Sequence, residues 1–296
     1  MGIQLANGPV SWGVDLPDKP GAPPWEEVFD EISEAGYSLC ELGPLGYLPD
    51  DTDRVRAELG ARGLGVAGSY IFEPMHDRDR HDEISATTER TCQRIAALGG
   101  KFLVVIDKVS DERGATAGRS SAVNRLQGHD YDVLLTGIRH ASEIAIKHGL
   151  TPVFHQHCGT YVEFEDEIER VLGDTVDDGL QLCIDTGHFV FAGIDPVGFL
   201  ADHRERTAYL HFKDINPVAH QKVLSDGVAF FDAISLGVFC PVGQGMVDFA
   251  ALATELASGF DGPGTIEQDR DFRSTTTALD DAKASLTYLR GIGIAD

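Results

Sequence analysis

The chain has 296 residues, 42% hydrophobic and 24% charged, which admits either two ordinary domains or one large α/β barrel. Its 24 basic and 48 acidic residues give a formal charge of -24. That field repels phosphate backbones and anionic lipid, so neither nucleic acid nor membrane is an expected partner. The five cysteines are widely spaced and form no CxxC, which suits reduced thiols better than a disulfide framework. With no basic-then-apolar start and no apolar run near the ~20 residues of a membrane span, a cytoplasmic location is expected.

Short apolar runs alternate with helix-like segments. Ile3–Trp12 reads as strand one, Trp25–Ala35 as a helix closed by Gly36, and Tyr37–Leu42 as strand two. A charged helix over Asp51–Arg62 precedes strand three, Leu64–Phe72. Asp82–Leu98 carries Ile84, Cys92, Ile95 and Leu98 roughly on one helical face. Strand four, Lys101–Ile106, has the continuous apolar core of a strand buried on both sides. A polar loop over Asp107–Gly128 leads into the helix Tyr131–His148. Thr151–His155, Leu180–Ile184 and Thr207–Phe212 read as strands five, six and seven, with helices over Phe164–Leu172 and Val197–Ala201. Asn216–Val242 is a long connection of weak helical content, followed by the helix Asp248–Ala257, strand eight at Gly264–Glu267 and a closing helix, Thr276–Arg290.

Eight strand–helix repeats without a low-complexity linker predict a single α/β domain over residues 1–296, a (β/α)8 TIM barrel. A doubly wound sheet would usually carry a Gly-rich turn after its first strand, and GPVSWG does not match GxGxxG. In a barrel the chemistry sits where the strands end, and there the chain concentrates acids and imidazoles. Strand two ends in CELGPLGY with Glu41, strand five in FHQHCGTYVE, strand six in CIDTGH, strand seven in LHFKD and strand eight in TIEQD. One polar residue at a strand end is usually a turn former or helix cap, and Asp214 and Asp269 read as ordinary loop acids. Four neighbouring strands each delivering a carboxylate or imidazole is a different matter.

Glu163, Asp185, His211 and Glu267 make an oxygen-rich set with one nitrogen, suited to Mn²⁺, and also to Co²⁺ or Mg²⁺, with positions open for substrate oxygens. Three carboxylates gathered without a cation would repel one another strongly. His155, His157 and His188 titrate near neutrality and suit acid/base work on a polyol or keto-sugar. Lys213 can stabilise an enolate or anchor a hydroxyl, and Trp12 can stack on a sugar face or pack in the core. There is no GxSxG, P-loop or HExxH, and Cys158 beside His157 reads as filler.

Taken together and in order, HQHCGTYVE, CIDTGHFVFAGIDP, LHFKD, PVGQGMVDF and TIEQD resemble the xylose-isomerase-like TIM-barrel superfamily (sugar phosphate isomerase/epimerase), and most closely its inosose (2-keto-myo-inositol) dehydratase branch. The resemblance implies a divalent metal at the carboxyl end of the barrel and proton abstraction next to a carbonyl. Asp185, His211 and Glu267 carry over as ligands. The strand-five ligand is either His155 or Glu163, and the carboxylate of Glu163 keeps the charge of the set. Catalytic roles then fall to His157, Glu267, His188 and Lys213, and substrate contacts to Trp12, Glu41, His155 and Lys213. Dehydration of a keto-sugar or keto-cyclitol (a C–O lyase reaction) is the leading expectation. Alternatives are isomerisation or epimerisation, cleavage of a keto-glycoside, and a non-catalytic barrel serving as a binding or partner subunit. TIM-barrel AP endonucleases share the superfamily fold but need a basic DNA face, which a charge of -24 does not supply. The resemblance also makes a homodimer a reasonable expectation.

Overall fold

A computed structural model of the chain describes residues 2–271 and 276–295. Among these, ten strands follow in chain order: β1 (Leu5–Asn7), β2 (Leu39–Glu41), β3 (Gly65–Glu73), β4 (Phe102–Asp107), β5 (Thr151–His155), β6 (Gln181–Asp185), β7 (Thr207–Phe212), β8 (Asp214–Ile215), β9 (Phe239–Cys240) and β10 (Gly264–Ile266). Strands β1 to β7 and β10 close into a parallel barrel in the order β1-β10-β7-β6-β5-β4-β3-β2, while β8 and β9 pair antiparallel outside it. The expected (β/α)8 TIM barrel is therefore present. The one-domain expectation over 1–296 also takes in Met1, residues 272–275 and Asp296, which lie outside the described residues.

The apolar runs follow from burial on both faces. Successive strand side chains point to opposite sides. Val104, Ile106, Val153, Cys183 and Tyr209 accordingly fill the interior with Ala6 and Ala67. Their neighbours Leu103, Val105, Phe154, Leu182, Ile184 and Leu210 pack outward against the helices. The helices answer with amphipathic faces: Trp25–Glu34 buries Trp25, Val28, Phe29 and Ile32, a spacing that returns to one side each turn. No helix among the described residues is long and apolar enough to cross a membrane.

The expected elements differ in several places. Strand one is only Leu5–Asn7, because Pro9 at the first position of a 3₁₀ turn ends the extended run, and Pro9–Trp12 coils instead. The polar loop after β4 contains a short helix, Asp111–Gly114, capped by the Ser110 side chain. The long connection after β7 holds two helices, Pro217–Asp226 and Phe230–Ser235. The Asn216 side chain accepts the N–H groups of Val218 and Ala219 with Pro217 at the first helical turn, a start signal written in the sequence.

These connections build an apolar cluster of their own above the barrel. Ala117, Cys158, Phe191, Val223, Phe230 and Phe239 belong to it, drawn from the segments that follow β4, β5, β6 and β7. Each fully buried Phe contributes about 1.5–3 kcal/mol of transfer free energy.

Candidate active site at the carboxyl end of the barrel

His155 ends β5, Asp185 ends β6, His211 lies near the end of β7, and Glu267 follows β10. One ligand atom from each lies within 4.8 Å of the other three, and all four residues are buried. The strand register makes this meeting automatic: Asp185 pairs with His211, and His211 with Thr265, two residues before Glu267. Asp185 serves two ends at once. Its Oδ1 accepts the His188 N–H at 2.9 Å and caps the helix Thr186–Phe191. Its Oδ2 faces His155 Nε2 at 3.3 Å, His211 Nδ1 at 3.7 Å and Lys213 Nζ at 3.1 Å. The turn-forming and ligand-offering readings of this aspartate are compatible, one oxygen for each.

Lys213 is the internal counter-charge. Its Nζ lies 3.1 Å from Asp185, 3.0 Å from Glu267 and 3.2 Å from Asp269. Burial works against its charge, but these three carboxylates outweigh it and hold the ammonium well above the usual lysine range. Burial likewise opposes ionisation of Asp185, yet Lys213 and His188 keep its carboxyl well below the usual range. Gly187 gives the ammonium's stem its room, since a Cβ there would stand 2.7 Å from Lys213 Cγ.

The donor set fits a divalent ion. The Nδ1 atoms of His155 and His211 and the Oδ2 of Asp185 are buried without an aligned hydrogen bond among the described residues, although carboxylate oxygens stand close by. Two imidazoles and two carboxylates converging in this way offer lone pairs to a shared centre. That composition is more nitrogen-rich than the set expected from sequence, which moves the preference from Mg²⁺ towards transition ions.

His157 and His188 lie against one another beside this centre, tilted by 37° with ring centroids 3.9 Å apart. The tautomer of His157 is set by the backbone of Cys158. Its carbonyl can only accept, so His157 Nδ1–H donates to it at 2.9 Å and leaves the lone pair on Nε2. Its N–H meets His188 Nδ1 at 3.3 Å, and the Lys213 ammonium lies 3.2 Å from His188 Nε2. Burial, reinforced by His155 and Lys213, pushes His157 down to about 3, so its ring is neutral. Burial, His157 and Lys213 depress His188 in the same direction. The Cys158 thiol is buried and pushed well above its ordinary value, as a bystander's would be.

Three expected site residues stand elsewhere. Glu163, the expected carboxylate ligand, is outside the four-residue group, and His155 is in it. The Glu163 carboxylate accepts the N–H groups of Gly118 at 2.6 Å and Gly159 at 3.1 Å, tying the connection after β4 to the turn after β5. Trp12, expected to stack on a sugar, is buried and gives its indole N–H to Glu31. Glu41, expected to touch substrate, lies 1% exposed within the barrel, where its Oε1 receives Tyr209, Thr265 and His211. Sequence reasoning also passed over Asp269. It bonds Lys213 and lines a cavity of about 220 Å³ with Val10, Gly13, Asp15, Phe231 and Ile234.

Burial raises Glu163 to about 7 against the pull of Gly118 and Gly159. A carboxyl raised in this way favours the folded state most below its unfolded value, and the advantage is lost as pH rises through 7. Glu163→Gln never carries the buried charge. Its melting temperature relative to the parent should therefore climb between pH 5.5 and pH 8.5, and a flat difference across that window would refute the assignment.

The family model described as a xylose isomerase-like TIM barrel matches residues 23–292. Among curated proteins, the inosose dehydratase of Geobacillus thermodenitrificans is 27% identical over 91% of this chain and 90% of its own length. The rhizopine catabolism protein MocC of Rhizobium meliloti is 28% identical over 92% of this chain and 83% of its own. Among solved structures, the IOLI protein with a bound zinc atom superposes with a TM-score of 0.76 at 15% identity, covering 98% of both chains. An L-ribulose 3-epimerase gives 0.72 at 18% identity over 99% and 95%. Likeness at that level of identity speaks for the fold. With a match that spans nearly its whole length, the chain belongs to the xylose isomerase-like TIM-barrel family.

Proposed function

We propose that the chain is a divalent-metal-dependent enzyme that removes a proton next to the carbonyl of a keto-sugar or keto-cyclitol and expels a β-hydroxyl, as an inosose dehydratase does. The observation that carries this reading is the convergence of His155, Asp185, His211 and Glu267 within 4.8 Å at the barrel's carboxyl end. The curated relatives named inosose dehydratase, at 26–29% identity, support the same reaction class.

These four residues would hold the ion, with Mn²⁺, Co²⁺ and Zn²⁺ each compatible with two nitrogens and two oxygens. When bound, it would polarise the substrate carbonyl and lower the acidity barrier of the neighbouring C–H. The chain's own groups do the rest. We assign to His157 Nε2, which has its lone pair free, the acceptance of the α-proton, with His188 beside it between Cys158 and Lys213. Lys213 supplies positive charge next to a developing enediolate. Asp269, the carboxylate that lines the cavity and bonds Lys213, carries the proton to the departing hydroxyl. Phe230 covers His157 at 5.1 Å and excludes water from that side.

The test is exchange of the substrate's α-proton in D₂O, followed by NMR, with 2-keto-myo-inositol and a panel of ketoses and each metal in turn. Exchange reports the step shared by dehydration and isomerisation, and product identity then separates them. No exchange with any ion would refute the proposal. His157→Phe keeps a ring among Phe72, His188 and Phe230. It should lower turnover by about 10²–10⁴ while leaving metal content unchanged. Turnover near the parent's would remove His157 from the mechanism.

A further inference from the structure

Glu41 is a buried carboxylate that the proposed chemistry leaves without a task. It ends β2, where the register with β3 shifts between Cys40 and Glu41, an irregularity of the kind that re-aims a side chain. Gly8 makes the space: a Cβ there would stand 3.2 Å from Glu41 Cβ. The Oε1 of Glu41 meets the hydroxyl of Tyr209 at 3.0 Å, the hydroxyl of Thr265 at 2.9 Å and Nε2 of His211 at 3.1 Å. All four residues are at most 1% exposed. His211 lies between Glu41 and the carboxylates of Asp185 and Glu267.

We infer that Glu41 is the positioning residue that fixes which nitrogen of His211 faces the metal set. An ionised carboxylate only accepts, so the ring nitrogen against it must carry the proton. Nε2–H therefore points at Glu41. Nδ1, 3.2 Å from Glu267 Oε2 and 3.7 Å from Asp185 Oδ2, presents its lone pair to the centre. A carboxylate behind a ligating imidazole also makes the imidazole more basic and locks its orientation. Tyr209 and Thr265, 2.7 Å apart, hold the carboxylate oxygen in place from β7 and β10. The opposing hypothesis is that the three donors simply satisfy a buried charge.

This inference rests on the proposed metal site, and one experiment separates the two. The protein is labelled with ¹⁵N-histidine, loaded with Zn²⁺ and observed in the imidazole ¹⁵N–¹H spectrum. The expected result is a slowly exchanging proton on His211 Nε2 and a metal-shifted Nδ1. Glu41→Gln, which keeps shape but not charge, should weaken Zn²⁺ binding by about 10–100-fold in a chelator competition. A proton on Nδ1 in the zinc-loaded parent overturns the inference alone, and so does a folded Glu41→Gln protein with the parent's zinc affinity. A parent that takes up no Zn²⁺, Mn²⁺ or Co²⁺ overturns the proposed function and this inference with it. The parent spectrum decides even if Glu41→Gln does not fold.

Discussion

Asp185→Asn is expected to give a folded protein that no longer retains a divalent ion and whose turnover falls by a factor on the order of 10³, about 4 kcal/mol of lost transition-state stabilisation. The fold survives because asparagine keeps an oxygen for the His188 N–H, so the helix Thr186–Phe191 stays capped. What is lost is the other oxygen, on which His155, His211 and Lys213 converge. Two measurements check this: metal content after purification and the α-proton exchange rate. An active, metal-free Asp185→Asn protein would sink the proposed function, whereas an unfolded one would show that the cap, not the ligand, dominates.

The largest effect on stability is expected outside that centre. Arg113 is fully buried and forks onto Glu167, Nη1 to Oε1 at 2.7 Å and Nη2 to Oε2 at 2.9 Å, with Glu163 at 3.6 Å. Glu167 in turn accepts the N–H groups of Glu163 and Phe164 and so opens the helix Glu165–Asp174. Arg113→Met leaves two buried carboxylates facing one another and should cost about 3–5 kcal/mol, or about 5–8 °C in Tm for a chain of this size. Adding Glu167→Gln, which keeps an acceptor for the helix start, should recover part of the loss. A single-variant cost below about 1 kcal/mol would mean that the guanidinium is not what compensates these acids.

Much of the architecture was legible because each strand announces itself as an apolar run, and FLVVID of β4 needs no context to be read. Asp185, His211 and Glu267 could be singled out together because neighbouring strands each end in a carboxylate or imidazole, although any one of them alone reads as a turn former or cap. The choice between Glu163 and His155 turns on information that spacing does not hold. Preserving charge favoured the carboxylate, but the turn after His157 folds it onto Gly118 and Gly159. Repulsion among gathered acids argued for a cation, yet Lys213 already sits among them, and nothing in LHFKD says that its ammonium curls back between Asp185 and Glu267. Asp269 looked like one loop acid among many until the cavity showed what it faces. Asn216-Pro217, by contrast, was a readable helix start within a stretch treated as a plain connection.

The apolar cluster above the barrel has a consequence for how such a protein can be altered. Its members come from four separate connections, yet Phe230 touches His157 and His188 on one side and Phe191 and Phe239 on the other. A transplant of one connection from a relative would bring half an interior and leave a hole. Transplanting all four together would carry an intact small core onto an unchanged barrel floor. The unit of exchange for substrate preference is thus the whole canopy, and tolerance to chimeras should switch on only when every strand-end segment that feeds it comes from the same parent.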